Sequence, residues 1–324
     1  YKGARWMKMT DPKAGEAPSN TGSFLIWQQP HFIYLAEEMY RANPTDETLA
    51  RYGEQVEATA EFMADFAKAC APAKAGAPIK LFGATAMQES MSKDFCYNHP
   101  FEQAYWRYGL SKAQEWRERQ GKERNKEWDA IIERLAPLHV ADGIYAAAEP
   151  IKPFDKKASA SADFNPYSTP DMIGKTNISA EDFAKKSTSD HPASLGACGL
   201  LPDMDHYDAA IMSKTLDHVM SDWNWASTWG WDYGMVAMAA ARLGRPDEAL
   251  NALLIDKGKN TYLVNGHNFQ EPKRLRLYLP GNGALLDAVA MMCAGWDGCT
   301  DVRNPGFPKD GTWNVRWEGI KRMQ

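Results

Sequence analysis

Apolar positions along most of this chain recur every three or four residues, the spacing of one helix face. Phe32, Leu35, Ala36, Met39 and Tyr40 make one such stripe. Leu49, Tyr52, Val56, Met63 and Ala67 make the next, opened by Asn43-Pro44-Thr45 with acids in the first turn. Together they predict a helical hairpin. A second pair follows, with Phe101, Ala104, Tyr105 and Tyr108 on one member and Trp128, Ile131, Ile132 and Leu135 on the other. Met212, Leu216, Val219, Met220 and Trp223 open a third. Its partner differs in kind: Asp232 to Leu243 is apolar almost all round and stops at Gly244, so it must be buried on most sides. Pro246-Asp247-Glu248 then starts a half-apolar helix with Leu250, Leu253 and Leu254, and Ala284 to Ala294 is again apolar all round, closed by Gly295. Buried helices alternating with half-exposed ones predict an all-α protein with two concentric rings of helices.

The connecting segments are long. From about Pro137 to Pro202 the chain is rich in Ser, Asp, Lys and Pro with little periodicity, which predicts an excursion over one mouth of the helical body. Asn260 to Pro280 reads as another loop, and Thr312 to Ile320 alternates as a terminal strand does. These patterns divide the chain into a helical body over 1–304 and an extension over 305–324.

Composition narrows the function classes. The 324 residues carry a net charge of −5 with both signs interspersed, which leaves no electrostatic footprint for nucleic acid. Mean hydropathy is −0.52 and no run of about 18 apolar residues occurs, so no membrane span is expected. Five cysteines form neither a CxxC nor a Cys/His cluster of zinc spacing, so neither a metal site nor any other cofactor is expected. Cys293 and Cys299 are near enough in sequence to be bridged across a helix end. The excess lies in 12 tryptophans and 13 tyrosines, which favours ligands with apolar faces and polar edges, sugars first.

The tryptophans concentrate where that chemistry needs them. In Trp223-Asn224-Trp225-Ala226-Ser227-Thr228-Trp229-Gly230-Trp231-Asp232, four indoles crowd one carboxylate just ahead of a small-residue helix. Indole faces stack on the C–H faces of sugar rings, and an aspartate among them can be tuned as acid, base or hydroxyl ligand. The competing reading is core packing beside a helix start. Amides and imidazoles that donate and accept at once suit sugar hydroxyls: Gln28, Gln29 and His31 at a helix start, Asn98 and His99 further on, and Asn265, His267, Asn268 and Gln270 in one loop. Turn and capping roles compete for each of them. Gly281-Asn282-Gly283 is a short glycine motif with no P-loop lysine after it.

Tyr1-Lys2-Gly3-Ala4-Arg5-Trp6, then Gly15-Glu16 and Trp27-Gln28-Gln29-Pro30-His31, resembles the barrel of glycoside hydrolase family 65 and its inverting relatives. Later landmarks keep the family's order: Gly83 to Glu89, Asn98, the helix through Ala104-Tyr105, Trp229 to Leu243, Leu279 to Gly283 and Pro305 to Gly311. The resemblance implies a partial (α/α)6 toroid of helical hairpins, with a β-sandwich and the first hairpins preceding Tyr1. It favours a secreted or periplasmic location. It also implies an oligo- or polysaccharide substrate, a general acid at Glu89, and hydroxyl ligands that include Trp6, Trp229, Trp231 and Asn282.

Glu89 lies in Ala86-Met87-Gln88-Glu89-Ser90, whose apolar neighbours suit a carboxyl kept protonated near neutrality. The family's usual Gly-Pro-Asp-Glu is replaced here by Gly83-Ala84-Thr85-Ala86, which leaves Asp94 and Glu102 as further carboxylates for the role. Asp232 is the expected general base: the resembling phosphorylases hold inorganic phosphate in a Ser/Thr-rich loop at this place, and an aspartate would repel it. Inverting hydrolysis is therefore the leading expectation. Three alternatives stand beside it: phosphorolysis on the same fold, a polysaccharide lyase using Tyr233, His267 and Asn268, and a carbohydrate-binding toroid without catalysis.

Overall fold

The computed structural model describes residues 1–17, 22, 25–91, 96–150, 180–273, 275–301 and 303–324. Ten α-helices and three short antiparallel ladders occur among them, so the chain is mostly helical. It forms two compact units. The first takes Tyr1–Met87, Met91–Leu138 and Ala148–Ser179 as far as these are described; the second takes Gln88–Ser90, His139–Ala147 and Ala180–Gln324. No helix among the described residues is long and apolar enough to cross a membrane.

The first unit packs α1 (His31–Ala42), α2 (Asp46–Ala69), α3 (Pro100–Arg119) and α4 (Lys126–Arg134) around one core that includes Ile33, Val56, Met63, Trp106, Trp116 and Trp128. Thr45 caps α2 by accepting from Thr48 N–H, and Asp46 and Glu47 occupy its positive end, as the sequence suggests. Pro100 opens α3 at a position where its missing N–H costs nothing.

The α1 stripe is displaced from the expected one. Ile33, Ala36 and Glu37 face the core, while Leu35 and Met39 are exposed. Glu37 turns the helix, because its carboxylate accepts from the Trp116 indole at 2.8 Å and from Arg119 at 2.6 Å. Burial alone would raise this carboxyl, yet Arg119, Lys112 and Trp116 hold it below the usual carboxylate range. A satisfied ion pair thus takes an interior position that an apolar pattern assigns to leucine.

The second unit contains α5 (Ala180–Ser187), α6 (Ala193–Gly199), α7 (Ala209–Asp222), α8 (Asp232–Arg242), α9 (Pro246–Leu254) and α10 (Leu279–Ala294). The helix expected to be enclosed on most sides is so: α8 packs against α6, α9 and α10, and Asp232 to Ala241 are all buried. Its small residues let these neighbours approach closely. A Cβ on Gly234 would fall 2.4 Å from the Ala284 carbonyl oxygen, so α8 and α10 touch backbone to backbone there.

Three expectations change in this unit. The segment read as a long excursion carries α5 and α6, the latter wholly buried and built from Ala, Gly, Ser, Leu and Cys, which show no amphipathic period; residues 151–179 of it lie outside the described set. Helix α10 starts five residues early and is enclosed at its C-terminal turn, with Leu279 59 % and Leu286 68 % exposed nearer its start. An apolar circumference had suggested burial all round, and this holds for the last turn, where Met291–Ala294 are all buried, while of the earlier turns only Gly281 and Ala288 are buried among the described residues. Thr312–Ile320 forms no strand, since no edge among the described residues pairs with it; Trp313 packs on Phe307 and the Trp317 N–H reaches Asn304 Oδ1 instead. The chain end is nonetheless fastened to the second unit, with Gly306 N donating to Met292 O and Met323 N to Gly295 O. All five cysteines are free thiols, so Cys293 and Cys299 are unbridged.

Candidate active site

The tryptophan-rich stretch builds its surroundings from the backbone outward. After α7 ends at Trp223, the chain makes one 3-10 turn over Trp225–Ser227 and enters α8 at Asp232. Two groups here fix Asp190, and a third holds the chain just before it. The Trp223 indole donates to Asp190 O at 2.9 Å, Asp190 N donates to Ser227 Oγ at 2.8 Å, and Asn224 N reaches Thr188 O at 2.9 Å. Asp190 is held at φ 67, a left-handed conformation that surrounding contacts must over-determine.

Gln88, Glu89 and Ser90 are clamped to the same segment. Gln88 Nε2 donates to the carbonyls of Lys186, Ser187 and Ser189 at 3.3, 3.2 and 2.9 Å. Ser90 N donates to Asp190 Oδ2 at 3.0 Å, and Ser90 Oγ to Lys186 O and Ser189 O at 3.1 Å. Glu89 sits between these two anchors, within electrostatic reach of Asp190 and His191.

His191 joins the two halves of the cluster. Its Nδ1 lies 2.8 Å from Asp232 Oδ1, while Nε2 faces Asp190 Oδ1 at 3.7 Å. Burial works to lower this imidazole, but Asp232, Asp190 and Glu89 together raise it above its ordinary value and favour the charged form. Asp190 is raised as well: burial dominates, the charges of Asp232 and Glu89 add to it, and His191 and the Ser90 N–H oppose it. Trp231 lies 4.5 Å and Trp229 6.2 Å from the His191 ring, centroid to centroid. Tyr278 closes the wall, with its ring 5.7 Å from Trp229 and its hydroxyl accepting from the Trp231 indole.

Asp232 therefore stands behind the imidazole. Its side chain is 0 % exposed, one oxygen is taken by His191 and the other accepts from Trp229 N at 2.8 Å. With both oxygens taken, this carboxylate is not open to a water as the expected general base would be.

The remaining expected ligands fall into two groups. In the second unit the amides form the frame behind the tryptophans. Gln270 Oε1 accepts from Gly230 N at 2.8 Å and its Nε2 donates to Thr228 O at 3.3 Å. Asn268 is buried, donating to the carbonyls of Lys259 and Thr261, while Asn282 Oδ1 accepts from Asn268 N at 2.9 Å. Asn265 and His267 belong to the turn of the Thr261–Tyr262 and Asn268–Phe269 hairpin, where Asn265 Oδ1 accepts from His267 N. Tyr233, expected to serve a lyase, has its hydroxyl buried against Thr228 Oγ1 at 3.0 Å. Its ring stacks on Trp225.

In the first unit Gln29 pairs with both backbone groups of Trp6, at 2.6 and 2.8 Å, and Gln28 donates to Trp6 O and Leu25 O. The Trp6 ring stacks on Phe32 and its N–H reaches Thr59 Oγ1, so the indole is committed to packing. His31 bonds Tyr105 OH through Nδ1 at 2.8 Å, and burial lowers it to about 4, keeping it neutral. Asn98, at φ 56, donates to Glu149 Oε2, and His99 sits buried at the head of α3. Glu102, one of the further carboxylates for the acid role, is buried with Oε1 accepting from Met87 N at 2.5 Å. Asp94 lies outside the described residues.

Sequence reasoning passed over Asp190, His191 and Tyr278. The signal available for the first two was an aspartate-histidine pair followed by Pro192, which blocks helix at its predecessor and fixes an extended entry to α6. Among the described residues no group of three or more His, Cys, Asp or Glu side chains is arranged to hold a metal ion. The chain matches no protein-family model and no curated protein sequence.

Proposed function

We propose that this protein is a carbohydrate-active enzyme, an inverting glycoside hydrolase, with its chemistry at Glu89, Asp190, His191 and Asp232. One observation carries the reading: the Gln88 and Ser90 clamp brings Glu89 to an aspartate-backed histidine walled by Trp229, Trp231 and Tyr278. Aromatic walls supply the apolar faces that sugar rings stack on. Three carboxylates around one imidazolium leave a net negative field, which favours the positive charge that develops on a glycosyl centre. The same field opposes an attacking phosphate, so water is the nucleophile that fits.

Glu89 is the proton donor to the glycosidic oxygen, and Asp232 orients and charges His191. The resemblance to glycoside hydrolase family 65 supports this assignment, and it would place α8 in the inner ring of an (α/α) toroid. The substrate class is an oligo- or polysaccharide.

The test is release of reducing sugar from a panel of oligo- and polysaccharides, with and without inorganic phosphate, and with the product anomer read by NMR at early times. The reading expects release that does not depend on phosphate, with the anomer opposite to the bond cleaved. Sugar 1-phosphate as the product would replace hydrolysis with phosphorolysis. Unsaturated products absorbing in the ultraviolet would replace it with elimination.

A further inference from the structure

The geometry points to Asp190 as the catalytic base of this reaction, the carboxylate that takes the proton from the attacking water. This rests on the glycoside hydrolase reading above, and it assigns the step that Asp232 is not placed to perform, since both of its oxygens are occupied and its side chain is fully buried.

Asp190 has what Asp232 lacks. Its Oδ2 is fixed by Ser90 N at 3.0 Å, but Oδ1 makes no hydrogen bond among the described residues and faces His191 Nε2 at 3.7 Å. That nitrogen is likewise unbonded, on a side chain nine-tenths buried whose other nitrogen is fixed to Asp232. Each of these two polar atoms keeps an open hydrogen-bonding position beside the other, so one water can bond both. A water there accepts from His191 Nε2–H and donates to Asp190 Oδ1, which leaves a lone pair for attack.

The step then balances. The water oxygen bonds the anomeric carbon as one of its protons passes to Asp190 Oδ1, the bond from that carbon to the glycosidic oxygen breaks, and Glu89 gives its proton to the departing oxygen. Proton return from Asp190 to Glu89 through solvent resets both groups. Backbone anchors at Trp223 and Ser227 hold Asp190 in its left-handed conformation, and this fixes Oδ1 toward the imidazole.

Asparagine and glycine both tolerate that conformation, so Asp190→Asn and Asp190→Gly are the variants of choice. The assay uses 2,4-dinitrophenyl glycosides and glycosyl fluorides, whose departure needs no acid, beside the glycan cleaved by the wild type. Both Asp190 variants are expected to lose about 10²–10⁴-fold in turnover on every substrate, activated or not. Azide should restore turnover in Asp190→Gly and yield the glycosyl azide of inverted configuration. Glu89→Gln should instead lose turnover on the glycan and keep it on the activated substrates. Asp190 variants with wild-type turnover, set beside a Glu89→Gln variant that behaves as an acid knockout, would overturn the base assignment and leave glycoside hydrolysis standing. Wild-type protein inert on every substrate would take both down. Near-ultraviolet circular dichroism of the tryptophan cluster distinguishes lost chemistry from lost fold: an Asp190→Gly variant that keeps the native spectrum yet gains nothing from azide also refutes the proposal.

Discussion

Glu102 offers a quantitative test of how the first unit buries charge. Its carboxyl is enclosed near the start of α3, where burial pushes it up to about 7 from 4.5 and the Met87 N–H opposes only part of that rise. Oε1 accepts from Met87 N, while Oε2 is buried without a hydrogen-bond partner among the described residues. An acid with a raised folded value binds its proton more tightly when folded, so stability falls as pH rises, starting from the unfolded value and levelling off above the folded one. A shift from 4.5 to about 7 corresponds to roughly 3 kcal/mol, at about 1.4 kcal/mol per unit. Glu102→Gln mimics the protonated form and keeps an oxygen for Met87 N. Urea unfolding followed by tryptophan fluorescence should therefore give similar stabilities for the two proteins near pH 5 and a variant more stable by about 3 kcal/mol near pH 9. A constant difference across that range, or a wild type that gains stability relative to the variant as pH rises, would refute the claim that this carboxylate is buried without compensation.

Glu37→Ala leaves Arg119 and Lys112 without their buried partner and should cost about 3–5 kcal/mol in chemical denaturation, while an exposed pair such as Lys68–Glu127 should cost under about 1 kcal/mol when broken. Gly234→Ala drives a Cβ against the Ala284 carbonyl and should destabilise the second unit by about 1–3 kcal/mol, measured as a lowered midpoint with an unchanged denaturant slope. Asp232→Asn removes the anion that raises His191. A histidine raised above 6.5 contributes stability fully below that pH and loses it as pH rises through the folded value, so the gap in thermal midpoint between wild type and this variant should be largest in acid and narrow in base.

The sequence made the helical character legible wherever periodicity was strong, as in α2, α4 and α7, because one apolar face there meets one core. It misjudged α1 because Glu37 is buried through partners on α3, more than 70 residues away, which no local pattern records. It misjudged the first turns of α10 because an apolar circumference does not say how much of a helix's length other elements cover. The cluster around His191 was half visible. Tryptophans crowding an aspartate marked the loop before α8, and Glu89 was singled out for its apolar neighbours. That Glu89, Asp190 and Asp232 converge on His191 depends on the Gln88 and Ser90 clamp, a tertiary contact between segments about 100 residues apart. Many of the amides expected to meet sugar hydroxyls are spent on the backbone instead, a role that residue type alone leaves open.

In the function we propose, Glu89 gives its proton to a glycosidic oxygen. The most direct measurement compares wild type and Glu89→Gln on two substrates of the same sugar, one an unactivated glycoside and the other its 2,4-dinitrophenyl counterpart. An acid role predicts that turnover falls by about 10²–10⁴-fold on the first and little on the second, while the folded structure is retained. Equal losses on both substrates, or none on either, would contradict it.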